Sequence, residues 1–273
     1  MFYYVEITNI AKIIITLAVR TIISFMNRLK VIAMIPARYA SSRFPGKLLA
    51  PLGGVPVIVR TCKAAAGMDF FSDVYVVTDD SRIRDAAAGT GVKCIMSRSS
   101  HETGSDRIAE AAAGIDCDII VNIQGDEPFI QARTIAGVLE PFYLPGSGDI
   151  DLCTLKERMT DKDEIASPDN VKVITDINGF AIYFSRYPIP YPRDNFSDTV
   201  YYRHIGIYAF RKDTLMMFPK WKMLQNEASE KIECLRFLEH GKRIKVVETE
   251  GMQVSIDTPG DLARAEAILR ERK

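Results

Sequence analysis

Val31-Ile32-Ala33-Met34-Ile35-Pro36-Ala37-Arg38-Tyr39-Ala40-Ser41-Ser42-Arg43-Phe44-Pro45-Gly46-Lys47 is the stretch whose reading decides the fold. Its first five residues form an unbroken apolar run, the pattern of a strand covered on both faces. Pro36 ends the run, and a loop rich in Ser, Pro and Gly carries three cations, Arg38, Arg43 and Lys47, directly behind it. Guanidinium forks grip phosphate oxygens in pairs, an ammonium adds a point charge, and small residues let backbone N–H groups approach. The glycine spacing is not that of a P-loop. A solvated basic loop would carry the same residues, but the position behind a buried strand favours an oxyanion site.

Working outward, further strands are expected at Val74–Thr78, Val92–Met96 and Asp118–Ile123. Helices are expected over Val55–Gly67, from an N-cap at Ser81 to the glycines 89 and 91, and over Ser105–Gly114. This alternation predicts an α/β fold with a mostly parallel, Rossmann-like sheet, whose nucleotide-binding part spans about residues 30–145. In such sheets ligands sit at the carboxyl ends of the strands. Beyond Pro145-Gly146-Ser147-Gly148 the rhythm changes. Strands at Val171–Thr175, Phe180–Phe184 and His204–Phe210 are separated by polar loops, and residues 187–192 are Pro-rich extended chain. An amphipathic helix follows over Glu227–Gly241, then strands near Ile244–Glu248 and Gln253–Ile256. Thr258-Pro259 opens a last helix. Residues 146–250 read as a smaller subdomain.

The 273 residues are 47% hydrophobic and 26% charged, an ordinary balance for a folded soluble protein. Lys plus Arg and Asp plus Glu both total 35, so no global field draws the chain to nucleic acid. The five cysteines (Cys62, Cys94, Cys117, Cys153, Cys234) show no C-x-x-C spacing, which suits free thiols in a reducing cytoplasm. Residues 1–25 hold a mostly apolar stretch, Ile13–Phe25, but Lys12 and Arg20 interrupt the wider segment, which leaves too short an uncharged run for a membrane span. With no cleavage site after Arg20, they are read as a leader outside the fold, and Met26 as the natural start of a single 26–273 domain. A segment that touches the membrane surface is the alternative.

Three other constellations carry chemistry. Gln124-Gly125-Asp126-Glu127-Pro128 puts an acidic pair behind a buried strand, a placement that costs desolvation unless a cation or donors offset it. Mg²⁺ bridging phosphates would do so. Asp257, in Ser255-Ile256-Asp257-Thr258-Pro259-Gly260-Asp261, is placed to share that cation, although it also suits a helix N-cap, as does Thr258. His101-Glu102-Thr103-Gly104-Ser105-Asp106-Arg107 opens a helix where backbone N–H groups, Ser105 and Arg107 meet a nucleobase or phosphate. A plain capping box competes for Ser105.

Taken together, these segments resemble the 3-deoxy-manno-octulosonate (KDO) cytidylyltransferases, from about Val31 to the C-terminus. The I-P-A-R-Y-x-S-x-R-x-P-G-K run, H-x-[ST]-G-[ST]-[DE]-R, N-x-Q-G-D-E-P, F-S-R, R-H-x-G-I-Y and D-T-P-x-D-L occur in that family's order. The resemblance implies a nucleotide-diphospho-sugar transferase fold and a cytoplasmic, Mg²⁺-dependent homodimer serving lipopolysaccharide synthesis. Its reaction would be CTP plus KDO giving CMP-KDO and pyrophosphate, with no nucleic-acid partner and no membrane insertion. It further implies catalytic roles for Arg38, Arg43, Lys47, Asp126 and Asp257, with Mg²⁺ on Asp126 and Asp257. Ala37, Arg38, Lys47, Gly104, Ser105, Arg107 and Asp126 would bind the nucleotide. Gln124, Arg186, Arg193, His204, Tyr208 and Glu233 would meet the sugar acid. One departure stands out: the family's L-E-Q-L-R is here Ile232-Glu233-Cys234-Leu235-Arg236, with Glu230 a rival for Glu233. Cys234 leaves open an 8-amino analogue of KDO, and a non-catalytic nucleotide- or sugar-binding relative is the reading from another class.

Overall fold

Val31, Ala33, Ile35 and Ala37 of strand β1 (Val31–Ala37) pack into one apolar cluster, while Ile32 and Met34 pack into a second. A strand buried on alternate sides in this way must lie inside a sheet with helices on each face. The computed structural model describes residues 29–41, 43–98, 101, 103–194, 198–250 and 254–271. The leader of residues 1–25 and the start at Met26 fall outside them.

Ten strands follow β1 among the described residues: β2 (Pro51–Leu52), β3 (Val55–Pro56), β4 (Asp73–Thr78), β5 (Lys93–Met96), β6 (Ile119–Asn122), β7 (Leu152–Met159), β8 (Lys172–Thr175), β9 (Ala181–Ser185), β10 (Tyr201–Arg211) and β11 (Ile244–Glu248). The main sheet runs β11-β7-β10-β6-β1-β4-β5, with β8 and β9 attached through β10. β1 pairs in parallel with β4 and β6, β4 with β5, and β11 with β7. Within that row only β10 runs against its neighbours, β6 and β7, while the appended β8 and β9 also pair antiparallel. The mostly parallel α/β expectation therefore holds, and one sheet joins the two halves that the sequence separates near residue 145.

Helices α1 (Val57–Ala66), α2 (Ser81–Ala87), α4 (Ala132–Leu139) and α9 (Pro259–Glu271) bury apolar residues in the first cluster. On the other face lie α3 (Gly104–Ala112), α6 (Lys212–Met217) and α8 (Cys234–Glu239). Two short helices, α5 (Lys162–Ala166) and α7 (Gln225–Glu230), complete the set. No described helix is long and apolar enough to cross a membrane.

Several boundaries differ from expectation for local reasons. Asp80, not Ser81, caps α2, because its carboxylate accepts the Arg82 N–H. Residues 254–256 form no strand, although the Ile256 N–H donates to the Asp126 carbonyl at 3.0 Å. The helix expected over Glu227–Gly241 is broken into α7 and α8, because Lys231 adopts φ 54° and ψ 46°.

Candidate functional site

Two adjoining cavities open at the carboxyl ends of β1 and β6. One, of about 440 Å³, is bordered by Arg38, Lys47, Gln124, Asp126, His204 and Asp257. The other, of about 460 Å³, is bordered by Ala37, Arg38, Gly104, Arg107, Gln124 and Glu233. Arg38 and Gln124 border both, so the cavities share a wall.

The smaller cavity centres on Lys47. Its ammonium pairs with Asp126 and lies 2.8 Å from Asp257 Oδ1, joining residues 79 and 210 positions away in sequence. The loop reaches this point through Gly46, which sits at φ 71° and would press a Cβ within 3.1–3.2 Å of the Tyr39 ring. Its N–H donates to the Tyr39 carbonyl at 3.1 Å, closing the loop. Gly125 passes tightly over Leu48 and Ile58, where a Cβ would meet side-chain carbons at 3.3 Å, and so sets the approach of Asp126. Burial opposes the Lys47 charge, but Asp126 and Asp257 outweigh it and hold the pKa above the usual lysine value. The Arg43 guanidinium stands 3.1 Å from Asp257 Oδ1 at the exposed edge of the cluster.

Whether Asp257 is a cap or a site residue is decided by its neighbours. The Thr258 hydroxyl accepts the Asp261 N–H at 3.2 Å, and Asp261 accepts the Thr258 N–H at 2.7 Å. That reciprocal pair caps α9 and leaves the Asp257 carboxylate to Lys47 and Arg43. Thr103 likewise caps α3, accepting the Asp106 N–H at 3.1 Å. Ser105 is thereby released from the capping role and donates to the Glu233 carboxylate beneath the larger cavity. Arg107 is anchored by Asp79 at 3.1 Å and the Ser97 hydroxyl at 2.5 Å.

A second polar group lies behind these walls. His204 Nε2 lies 2.9 Å from the Thr154 hydroxyl, and its ring meets Phe184 edge-on at 4.9 Å between centroids. Most of the imidazole is enclosed, and burial lowers its pKa to about 3. The Cys234 thiol donates to the Tyr208 hydroxyl at 3.4 Å, and burial pushes the thiol up to about 12. Burial also raises Tyr208 well above the ordinary phenol range and moves the Glu233 carboxyl upward. Glu127, at the edge of the smaller cavity, has no hydrogen-bond partner for Oε2 among the described residues; burial, then the Asp126 charge, pushes it up to about 8.

Three expected sugar contacts line neither cavity, Tyr208 standing behind the wall beside Cys234 and the other two farther off. The Arg186 guanidinium donates to the carbonyls of Glu230 at 2.7 Å and Pro168 at 2.8 Å, and borders neither cavity. Arg193 is exposed and also borders neither. Glu230, the rival of Glu233, faces Ser185 and the Arg186 N–H instead. Conversely, Asp169, Arg203 and Lys231 border the cavities without having been singled out. Arg203 had a signal, its place directly before His204; Lys231 had none, since a continuous helix would have aimed it differently.

A mostly parallel sheet with paired carboxylates and a basic loop at its strand ends defines a nucleotide-handling α/β protein. Comparison with known proteins narrows the class: the family described as Cytidylyltransferase matches residues 32–244. The chain belongs to this family, and within it to the 3-deoxy-manno-octulosonate cytidylyltransferases. Proteins of that name from Christiangramia forsetii and Flavobacterium johnsoniae are each 54% identical, over 88% and 89% of this chain and 97% and 100% of theirs. A solved structure of CMP:2-keto-3-deoxy-manno-octonic acid synthetase complexed with CTP superposes with a TM-score of 0.84 and 36% identity, over 89% of this chain and 100% of that one. The 4-diphosphocytidyl-2C-methyl-D-erythritol synthase of Anaerococcus prevotii, 16% identical with a TM-score of 0.60, shares the fold alone.

Proposed function

We propose that this protein transfers CMP from CTP to 3-deoxy-manno-octulosonate, releasing pyrophosphate. The carrying observation is the Lys47 ammonium held by Asp126 and Asp257 beside a cavity that Arg38 shares with the α3 N-terminus. In this reading the anomeric hydroxyl attacks the α-phosphorus in line, and the bond to the bridging oxygen of pyrophosphate breaks. Such transfers depend on positioning and charge neutralisation rather than on a covalent nucleophile. Arg38, Arg43 and Lys47 supply the positive charge, and the enclosed His204 remains a neutral hydrogen-bonding group toward the sugar.

The donor set fits Mg²⁺. Two carboxylates converge on one cation-sized point, now taken by the Lys47 ammonium, and their oxygens are hard ligands. No group of three or more His, Cys, Asp or Glu side chains forms a metal cage among the described residues. That suits an ion that completes its shell with phosphate oxygens and water. Bound there, Mg²⁺ would polarise the α-phosphate and offset charge on the leaving group. Free cysteines at all five positions support a reducing cytoplasm. Exposed Ile182, Tyr187 and Tyr191, on and beyond the edge strand β9, support a homodimer.

The test is pyrophosphate release with CTP, Mg²⁺ and 3-deoxy-manno-octulosonate, the product being identified by mass. Sugar-dependent turnover that disappears in EDTA is the expected result. Absence of turnover from folded, CTP-binding protein would redirect the reading to another sugar acid, with Cys234 the first position to change.

A further inference from the structure

Lys231 is the one non-glycine residue at positive φ among those described, and it sits at the break between α7 and α8. L-residues other than Gly, Asn and Asp seldom adopt this conformation, and where they do the surrounding structure enforces it, often at functional sites. Here the enforcement is explicit. The Lys231 N–H donates to the Glu227 carbonyl at 2.8 Å, and Arg186 Nε donates to the Glu230 carbonyl at 2.7 Å. The Glu230 carboxylate accepts from Ser185 Oγ at 2.7 Å and the Arg186 N–H at 2.8 Å. Lys172, fully buried, donates to the Arg186 carbonyl and holds that segment from below. Nothing in this turn calls for an ammonium, and glycine would take its backbone shape freely.

The charges around the larger cavity explain the lysine. Glu227 is neutralised by Arg236, with contacts of 2.6 and 2.8 Å. Glu233 is bonded to Ser105, and Arg107 to Asp79. Of the charged groups bordering the cavity, Arg38 and Lys231 alone lack a side-chain partner among the described residues, and both are cations. An unpaired pair of cations at a cavity that also meets the first turn of α3 is matched by an anion.

Resting on the cytidylyltransferase reading, we propose that Lys231 binds substrate, its ammonium pairing with an anionic oxygen in this cavity. That oxygen belongs to a nucleotide phosphate or to the carboxylate of the sugar acid, and Arg186 and Glu230 are the positioning residues that hold the turn.

Lys231→Gly separates the side chain from the turn, since glycine fits the backbone. The variant should melt no lower than wild type. It should weaken one substrate by about tenfold or more, the scale of a lost charge-assisted contact. CTP binding by calorimetry without sugar, and the sugar-acid KM at saturating CTP, identify which substrate is affected. A weakened CTP arm assigns a phosphate, and a raised sugar KM alone assigns the carboxylate. Lys231→Arg should recover most of the loss. Wild-type values for both substrates in an active Lys231→Gly protein overturn the assignment. A folded wild-type protein that neither binds CTP nor turns over overturns the cytidylyltransferase reading instead, and the role of Lys231 with it.

Discussion

The polar groups at the head of the sheet divide into two regions that treat charge in opposite ways. Around Lys47 oppositely charged side chains pair with one another, with Asp126, Asp257 and Arg43 gathered on one ammonium or its neighbours. Around Tyr208 burial pushes every group toward its neutral form, with His204 held down and Cys234, Tyr208 and Glu233 held up. The first region is ready to meet a polyanion. The second holds hydrogen-bonding groups that burial biases away from charge.

The comparison can be broken most severely at Lys47. Lys47→Ala should lower kcat/KM by on the order of 10²–10³, the scale of losing one preorganised charge stabiliser. Circular dichroism should remain native; an unfolded variant would make the residue structural and erase the distinction between the regions.

His204 sharpens the contrast through pH. Its folded pKa of about 3 lies below the ordinary 6.5, so the unfolded chain takes up the proton first. Its contribution to stability is therefore fully present above about 6.5 and falls as pH drops toward 3. Between pH 7 and pH 5 it should remove up to about 2 kcal/mol. Urea unfolding of wild type and His204→Gln at the two pH values isolates this term, and equal slopes would place the imidazole in solvent.

The smallest effect belongs to Glu233→Gln. If burial already keeps this carboxyl protonated, the amide should preserve the Ser105 hydrogen bond and change kcat/KM by less than about threefold. Asp126→Asn, tested beside it, should cost far more. Comparable losses at the two positions would show that Glu233 works as an anion.

The salt-bridged cluster was legible in the sequence from local pattern, whereas the second region's residues entered only through the family resemblance and their burial not at all. Arg38, Lys47 and Asp126 follow apolar runs whose burial sets where the chain turns, so strand prediction alone delivers them to one edge. Asp257 stayed ambiguous between cap and ligand until Thr258 and Asp261 were seen to cap α9. Ser105 was ambiguous in the same way, and Thr103 resolved it. The states of His204 and Glu233 depend on side chains brought from distant elements, which no local pattern encodes. The split of α7 from α8 was hidden for the same reason: the amphipathic period across Glu227–Gly241 continues through Lys231, and only the tertiary grip of Arg186 and Glu230 breaks it.

The 210 positions between Lys47 and Asp257 also set an order of events during synthesis. A nascent chain that has emerged through Glu248 already contains every strand described here. It still lacks the second carboxylate of the cluster, which follows β11 in the chain. At about 5–20 residues per second the sheet can assemble before the charge cluster is complete. A truncated product ending after β11 is thus expected to fold as a sheet yet present Lys47 to Asp126 alone. Such a fragment cannot assemble the complete carboxylate pair, so unfinished chains would not compete with finished ones for nucleotide turnover.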